Sequence, residues 1–273
     1  MEAFSGRAEA FSLTHQDLEL AALDSVATCL HALRPDVVLN TAAMHQIESC
    51  EANPARAYAV NGLGARNLTV VTADLGAALI HISTDYVFDG SQREPYRECD
   101  LPLPLSVYGN TKLAGEYFVR TGNPRHIVLR TSALYGRHPC RGKGGENFVD
   151  RMLRLGRERG EVRVVANETV TPTSTRELAL QVVALSEAGL YGLFHATAEG
   201  SCSWHAFACE IFLQAGMAVR CPVADPREFP VKVLRPACSV LENAELKRAG
   251  LNRLGDWRKG LHEYLEQARA AVA

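Results

Sequence analysis

Tyr108 and Lys112 stand four residues apart, so on a helix they share one face and can reach one ligand. A free tyrosine, with a pKa of about 10, is a poor acid–base group at neutral pH. An ammonium within about 4–6 Å favours the phenolate and lowers that pKa, each unit being worth about 1.4 kcal/mol. Such a tyrosine can hand its proton to an alkoxide as hydride arrives at a carbonyl carbon. Thr84, at the end of an apolar run, can donate a hydrogen bond to the same oxygen. The three predict a carbonyl reductase, given a nicotinamide beside them. Tyr-x-x-x-Lys alone is frequent and is more often an amphipathic surface pair; the specificity lies in its company. Ser83-Thr-Asp-Tyr-Val-Phe-Asp-Gly90, Tyr108-Gly-Asn-Thr-Lys-Leu-Ala-Gly-Glu116 and Leu129-Arg-Thr-Ser-Ala-Leu-Tyr-Gly136 follow in order, each tied to a predicted strand.

Those residues need a scaffold, and the pattern supplies one. A helix over Leu23–Leu33 stops at Arg34-Pro35, and Asp36–Asn40 is a β-branched run. Pro54–Leu75 has helical spacing, with Pro54 in the first turn. Ala77–Ile82 reads as a buried strand, Lys112–Thr121 as a helix and His126–Arg130 as a strand. Alternating strands and helices predict an α/β fold with a Rossmann-type, doubly wound parallel sheet, whose strand C-termini form the ligand edge. From about residue 137 the texture changes. Arg137–Gly145 reads as a mobile loop, Asn147–Arg159 as a helix and Val162–Val165 as a strand. Glu177–Ala188, Ser203–Ala215 and Arg258–Ala271 read as helices. The expected division is a cofactor-binding domain over 1–140 and a smaller, mixed substrate lobe over 141–273, with segments returning to the sheet.

Composition narrows the partners. Twenty-nine basic and 31 acidic residues leave a net charge of −2, which is no polycationic surface for nucleic acid. The apolar stretches fall short of the ~20 residues that cross a membrane, and the start resembles no export signal, so a cytoplasmic location is expected. The eight cysteines form no Cys-x-x-Cys pair and no zinc-like spacing with histidine, which predicts small core residues and no metal.

With these motifs the chain resembles the dTDP-4-dehydrorhamnose reductase family of extended short-chain dehydrogenase/reductases, over nearly its whole length through Arg235-Pro-Ala-Cys-Ser-Val-Leu-Glu-Asn243. The resemblance implies NADPH or NADH as hydride donor and reduction of a 4-keto deoxysugar on a nucleotide. It makes Tyr108 the general acid, sets Lys112 on the nicotinamide ribose and on Tyr108, and puts Thr84 on the substrate carbonyl with Asp85 beside it. Asn40-Thr-Ala-Ala-Met-His45 matches the turn after the family's fourth strand, so Ala43, Met44 and His45 would line the cofactor path. His45 has a backbone or packing role as its alternative to catalysis. Glu19 and Leu20 fall beside the adenine. Asn61 would brace its helix. Asn147-Phe148 and Pro172-Thr173 match positions around the substrate pocket, and Arg235 is a partner for the diphosphate or a structural arginine.

Two departures stand out. The family opens with a Gly-x-x-Gly-x-x-Gly turn that holds the pyrophosphate, and this sequence has none. Met1–Arg7 instead resembles the family's second strand, with the first βα unit lacking. Ser5 and Arg7 would then lie near the adenosine ribose, or on the surface. Ala133 stands where the family commonly has a tryptophan on the sugar. The alternatives are therefore a weakly active or non-catalytic binding subunit, as in the regulatory β subunit of methionine adenosyltransferase, or a reductase for another nucleotide sugar. A homodimer is compatible with either.

Overall fold

The computed structural model describes residues 2–139, 145–228 and 233–270. Three strands form where apolar residues run together: β1 (Val37–Asn40), β2 (Ala78–Thr84) and β3 (His126–Thr131). Further along come β4 (Leu134–Tyr135), β5 (Thr169–Val170), β6 (Thr173–Ser174), β7 (Gly192–His195) and β8 (Cys202–Ser203). The main sheet is four-stranded in the order β1-β2-β3-β7, parallel throughout. Two small pairs, β4–β6 and β5–β8, lie outside it.

The helices are α1 (Leu23–Leu33), α2 (Ile47–Ala52), α3 (Pro54–Ala57), α4 (Gly64–Asp74), α5 (Val107–Gly122), α6 (Phe148–Arg159), α7 (Thr175–Ala188), α8 (Trp204–Ala215), α9 (Ala244–Arg248) and α10 (Trp257–Ala270). The strand period of two sends neighbours to opposite faces. Leu79 and Val128 pack with Val26, Leu30, Leu68, Val71 and Val119 from α1, α4 and α5. Ile80, Ile127 and Leu129 pack on the other face with Leu178, Val182, Leu185 and Leu246 from α7 and α9. The sheet is thus doubly wound, as the sequence predicts. Each of these fully buried aliphatic side chains contributes about 1.5–3 kcal/mol. A second core, with Tyr135, Met152, Phe207, Phe212, Trp257 and Tyr264, fills the C-terminal part.

Three expectations change. Residues 2–4 form a 3₁₀ turn where a strand was expected. Phe4 packs against the core beside α7, and Arg7 pairs with Glu187 of that helix at 2.7 Å on the surface. Val162–Val165 lies in no continuous strand: it meets the segment 220–224 through the bridges Glu161 to Arg220 and Val164 to Val223 and their backbone hydrogen bonds. Finally, β7 joins the sheet although Gly192-Leu-Phe-His195 has no β-branched run to announce it. Residues 140–144 of the expected loop, and Ala271 of the last helix, lie outside the described residues.

Candidate active site

Tyr108 is set by the first turn of α5. Ser106, in extended conformation, accepts the Gly109 N–H on its hydroxyl at 3.2 Å, a serine cap. Glu51 accepts the Val107 N–H at 2.7 Å. A side chain at Gly109 would collide with the Tyr86 carbonyl oxygen, so glycine lets this turn lie against the end of β2. The Tyr86 and Tyr108 rings then meet edge-on, with centroids 6.0 Å apart.

Thr84 ends β2. Its Oγ1 accepts the Tyr86 N–H at 3.2 Å and donates to Asp85 Oδ1 at 3.0 Å. Burial pushes the Tyr108 phenol well above its ordinary range, a Thr84 hydrogen bond opposes that, and the Asp85 charge adds to it. Thr84 has one hydroxyl proton, so the Asp85 carboxylate and the Tyr108 oxygen compete for it.

Lys112 is buried one turn further on. Its Nζ donates to the Ile82 carbonyl at 2.6 Å and lies 3.4 Å from His81 Nε2. Desolvation brings the amine down to about 8, against the pull of Glu116. The net shift of the phenol is upward, against the lowering expected from the ammonium, because desolvation dominates. Beneath Lys112, Asn40 Oδ1 accepts the Ala42 N–H at 3.1 Å, and its amide nitrogen is 3.0 Å from His81 Nδ1. That arrangement has Asn40 donating to Nδ1 and leaves the imidazole proton on Nε2, facing the amine. Burial first, and the Lys112 charge second, hold His81 well below the ordinary histidine range.

A π-helical turn at Tyr58–Leu63 joins α3 to α4 and carries Asn61. Asn61 Oδ1 accepts the Met44 N–H at 2.8 Å, and Nδ2 donates to Met44 O and to Thr111 Oγ1, both at 2.9 Å. The Ala43–His45 turn at the C-terminal end of β1 is thereby clamped to α5. Asn61 braces this turn as well as its own helix. A side chain at Gly115 would run into the Asn61 carbonyl, so glycine is needed for that approach.

The remaining expected residues are distributed differently. Asp85 is 3% exposed. Its Oδ2 accepts from Ser132 at 2.7 Å and Ser239 at 2.5 Å, in addition to the Thr84 contact, so it braces Thr84 from below. Burial raises its carboxyl, and these hydroxyls oppose the rise. Asn147 caps α6 by accepting the Asp150 N–H, and its amide faces Gly136 O, Asp150 Oδ2 and the Tyr264 hydroxyl. Arg235 pairs with Glu48 at 2.8 Å. Glu19 accepts the Ala21 N–H and pairs with Arg56, while Leu20 is buried and its carbonyl accepts from Asn67. Ala133, the tryptophan position, has a φ of 45°, a strained value for any residue but glycine.

Sequence reasoning missed Asn40 and His81 under Lys112, and the buried Glu116–Arg130 pair at 2.7 Å, which also takes the Ser83 hydroxyl at 2.5 Å. Both pair members lie inside the quoted motifs, which was the available signal. It also missed that the fold gathers His205, Cys209 and Cys221, because their spacing matches no familiar pattern. A surface recess of about 630 Å3 is lined by Gln92, Arg93, Arg97, Asp100 and Glu242, none of them an expected site residue.

Comparison with known proteins follows the same outline. The profile of the RmlD substrate binding domain family matches residues 1–270. The spore coat polysaccharide biosynthesis protein SpsK of Bacillus subtilis is 36% identical over 263 residues, 96% of this chain and 90% of its own. A dTDP-4-dehydrorhamnose reductase of Sinorhizobium fredii is 37% identical over 92% of this chain and 86% of its own. Among solved structures, a dTDP-4-dehydrorhamnose reductase of Bacillus anthracis in complex with NADP superposes with a TM-score of 0.90 at 35% identity, over 94% of this chain and 89% of that one.

Proposed function

Because the chain belongs to the RmlD substrate binding domain family, we propose that it reduces the 4-keto group of a dTDP-linked 6-deoxysugar, dTDP-4-dehydrorhamnose to dTDP-rhamnose, with NADPH or NADH. The observation that carries this is the meeting of the end of β2, with Thr84, and the first two turns of α5, with Tyr108 and Lys112, fixed by the Tyr86–Tyr108 ring contact and the Lys112 bond to the Ile82 carbonyl. The cofactor, when bound, supplies a hydride to the carbonyl carbon. Thr84 turns its hydroxyl proton from Asp85 to the substrate oxygen, and Tyr108 hands its phenolic proton to that oxygen as it gains charge. The raised phenol keeps Tyr108 protonated until then. The Lys112 ammonium, near neutral pH, stabilises the phenolate left behind.

The residues present fit the nicotinamide half of such a cofactor. The Asn61-clamped turn Ala43–His45, Tyr108 and Lys112 share the C-terminal edge of the sheet, and Glu19 and Leu20 would take the adenine end. For the pyrophosphate the sequence offers no Gly-x-x-Gly-x-x-Gly. Arg235, by exchanging Glu48 for phosphate, and Asn147 are the proposed nucleotide-sugar contacts, and Asp85 is proposed to hold Thr84. No helix among the described residues is long and apolar enough to cross a membrane. A cytoplasmic location and a homodimer belong to the proposal. Mixing the chain with NADPH and dTDP-4-dehydrorhamnose is expected to consume the nicotinamide absorbance. Binding of both ligands without that loss would favour the binding-subunit alternative.

A further inference from the structure

His205 and Cys209 lie one turn apart on α8, so the helix presents them on one side. Cys221 arrives from the segment that follows α8. His205 Nε2 donates to the Cys221 carbonyl oxygen at 2.7 Å, and Cys209 Sγ lies 3.6 Å from the same nitrogen. One ligand atom from each of the three residues falls within 4.8 Å of the other two. We propose that His205, Cys209 and Cys221 form a binding site for a thiophilic divalent ion, zinc above all, with one coordination position left to solvent.

The spacing supports this independently of the reductase reading. Tetrahedral zinc binds sulfur at about 2.3 Å and imidazole nitrogen at about 2.0–2.1 Å, which sets a nitrogen and a sulfur ligand about 3.6 Å apart. His205 and Cys209 already stand at that separation. Two thiolates and an imidazole are a donor set that selects zinc over magnesium or calcium. All three residues are half-exposed, so an ion and its water can reach them. On binding, each thiol releases its proton, and His205 shifts its proton from Nε2 to Nδ1 as the Nε2–Cys221 hydrogen bond gives way to a metal–nitrogen bond, so two protons leave per ion.

The ion would staple two parts of the C-terminal core. The buried face of α8 carries Phe207, Ile211 and Phe212, and Cys221 packs against the same cluster. The segment around Cys221 is tied on its other side to residues 160–164, through backbone hydrogen bonds of Arg220, Pro222 and Ala224. Zinc is therefore expected to raise the thermal midpoint, as any ligand of the folded state does.

The test is a cobalt titration of the full chain, free of any histidine tag and kept reduced. One equivalent of Co2+ is expected to give a thiolate-to-cobalt charge-transfer band and tetrahedral d–d bands, both displaced by zinc. Cys209→Ser and Cys221→Ser are expected to lose the charge-transfer intensity and the zinc-dependent rise in midpoint, whereas Cys99→Ser, at an exposed cysteine, keeps both. His205→Gln, which leaves both sulfurs, serves if a serine variant fails to fold, and is expected to weaken the titration. The proposal is overturned if no thiolate band appears, if His205→Gln and the serine variants bind as the parent does, or if Cys209 and Cys221 are recovered only as a disulfide that excludes the ion.

Discussion

Desolvation drives the two residues at the centre of the site in opposite directions, the Tyr108 phenol up and the Lys112 amine down to about 8. The ammonium form of Lys112 is present below that value and is lost as pH rises through it. A reduction that relies on the ammonium should slow in the same window. We expect kcat to fall as pH rises through about 8, and Lys112→Met to abolish that limb while lowering kcat about 10²-fold or more. A limb unchanged in Lys112→Met would remove the lysine from the chemistry. At this scale the sequence was legible where spacing is local: Tyr108 and Lys112 fall on successive turns of α5 and Thr84 at the end of β2, as their motifs predict. It was opaque where partners are distant. The Asp85 carboxylate is satisfied by Ser132 and Ser239, which lie 47 and 154 positions away, and no local pattern marks such a cradle.

The elements were readable where periodicity is strong. The α1 helix runs over the expected Leu23–Leu33, and the expected Pro54–Leu75 helix is one run, interrupted only by the π turn that aims Asn61 at Met44. The α5 helix includes the turn from Tyr108 to Lys112, as the shared-face reading requires, although the Val-Tyr-Gly stretch after its Ser106 cap has weak helical propensity. The anchor of that helix was hidden. Glu116 reaches Arg130 across the β2–β3 face, both side chains being 1% exposed. Removing one partner of a buried pair leaves a charge without compensation, at a cost of about 3–5 kcal/mol. Glu116→Gln should lower the free energy of unfolding by that amount in urea titration. A change no larger than that of a surface substitution would show that the pair does not hold α5 to the sheet.

Across the whole molecule, one buried group links sheet and C-terminal residues and sets a pH limit on stability. His195 ends β7, its N–H donates to Glu98 at 2.9 Å, and its Nδ1 lies 3.1 Å from the Tyr96 and Glu242 carbonyls. Burial, helped by the Arg130 charge, takes its pKa from 6.5 to about 3. Between those values the unfolded chain binds a proton that the folded chain refuses, so stability falls as pH drops through that window. His195→Gln should show a shallower decline of the urea midpoint with acidification; an equal decline would place the acid sensitivity elsewhere. The sheet edge is the other feature at this scale. Val37 and Leu39 lie exposed on β1, the end strand of the four-stranded sheet, 38% and 39% accessible. The central claim is that Tyr108 is the proton donor in a carbonyl reduction, and Tyr108→Phe tests it most directly. With dTDP-4-dehydrorhamnose and saturating NADPH, we predict a kcat about 10²–10⁴-fold below the parent with an unchanged fold; turnover equal to the parent's would contradict the account.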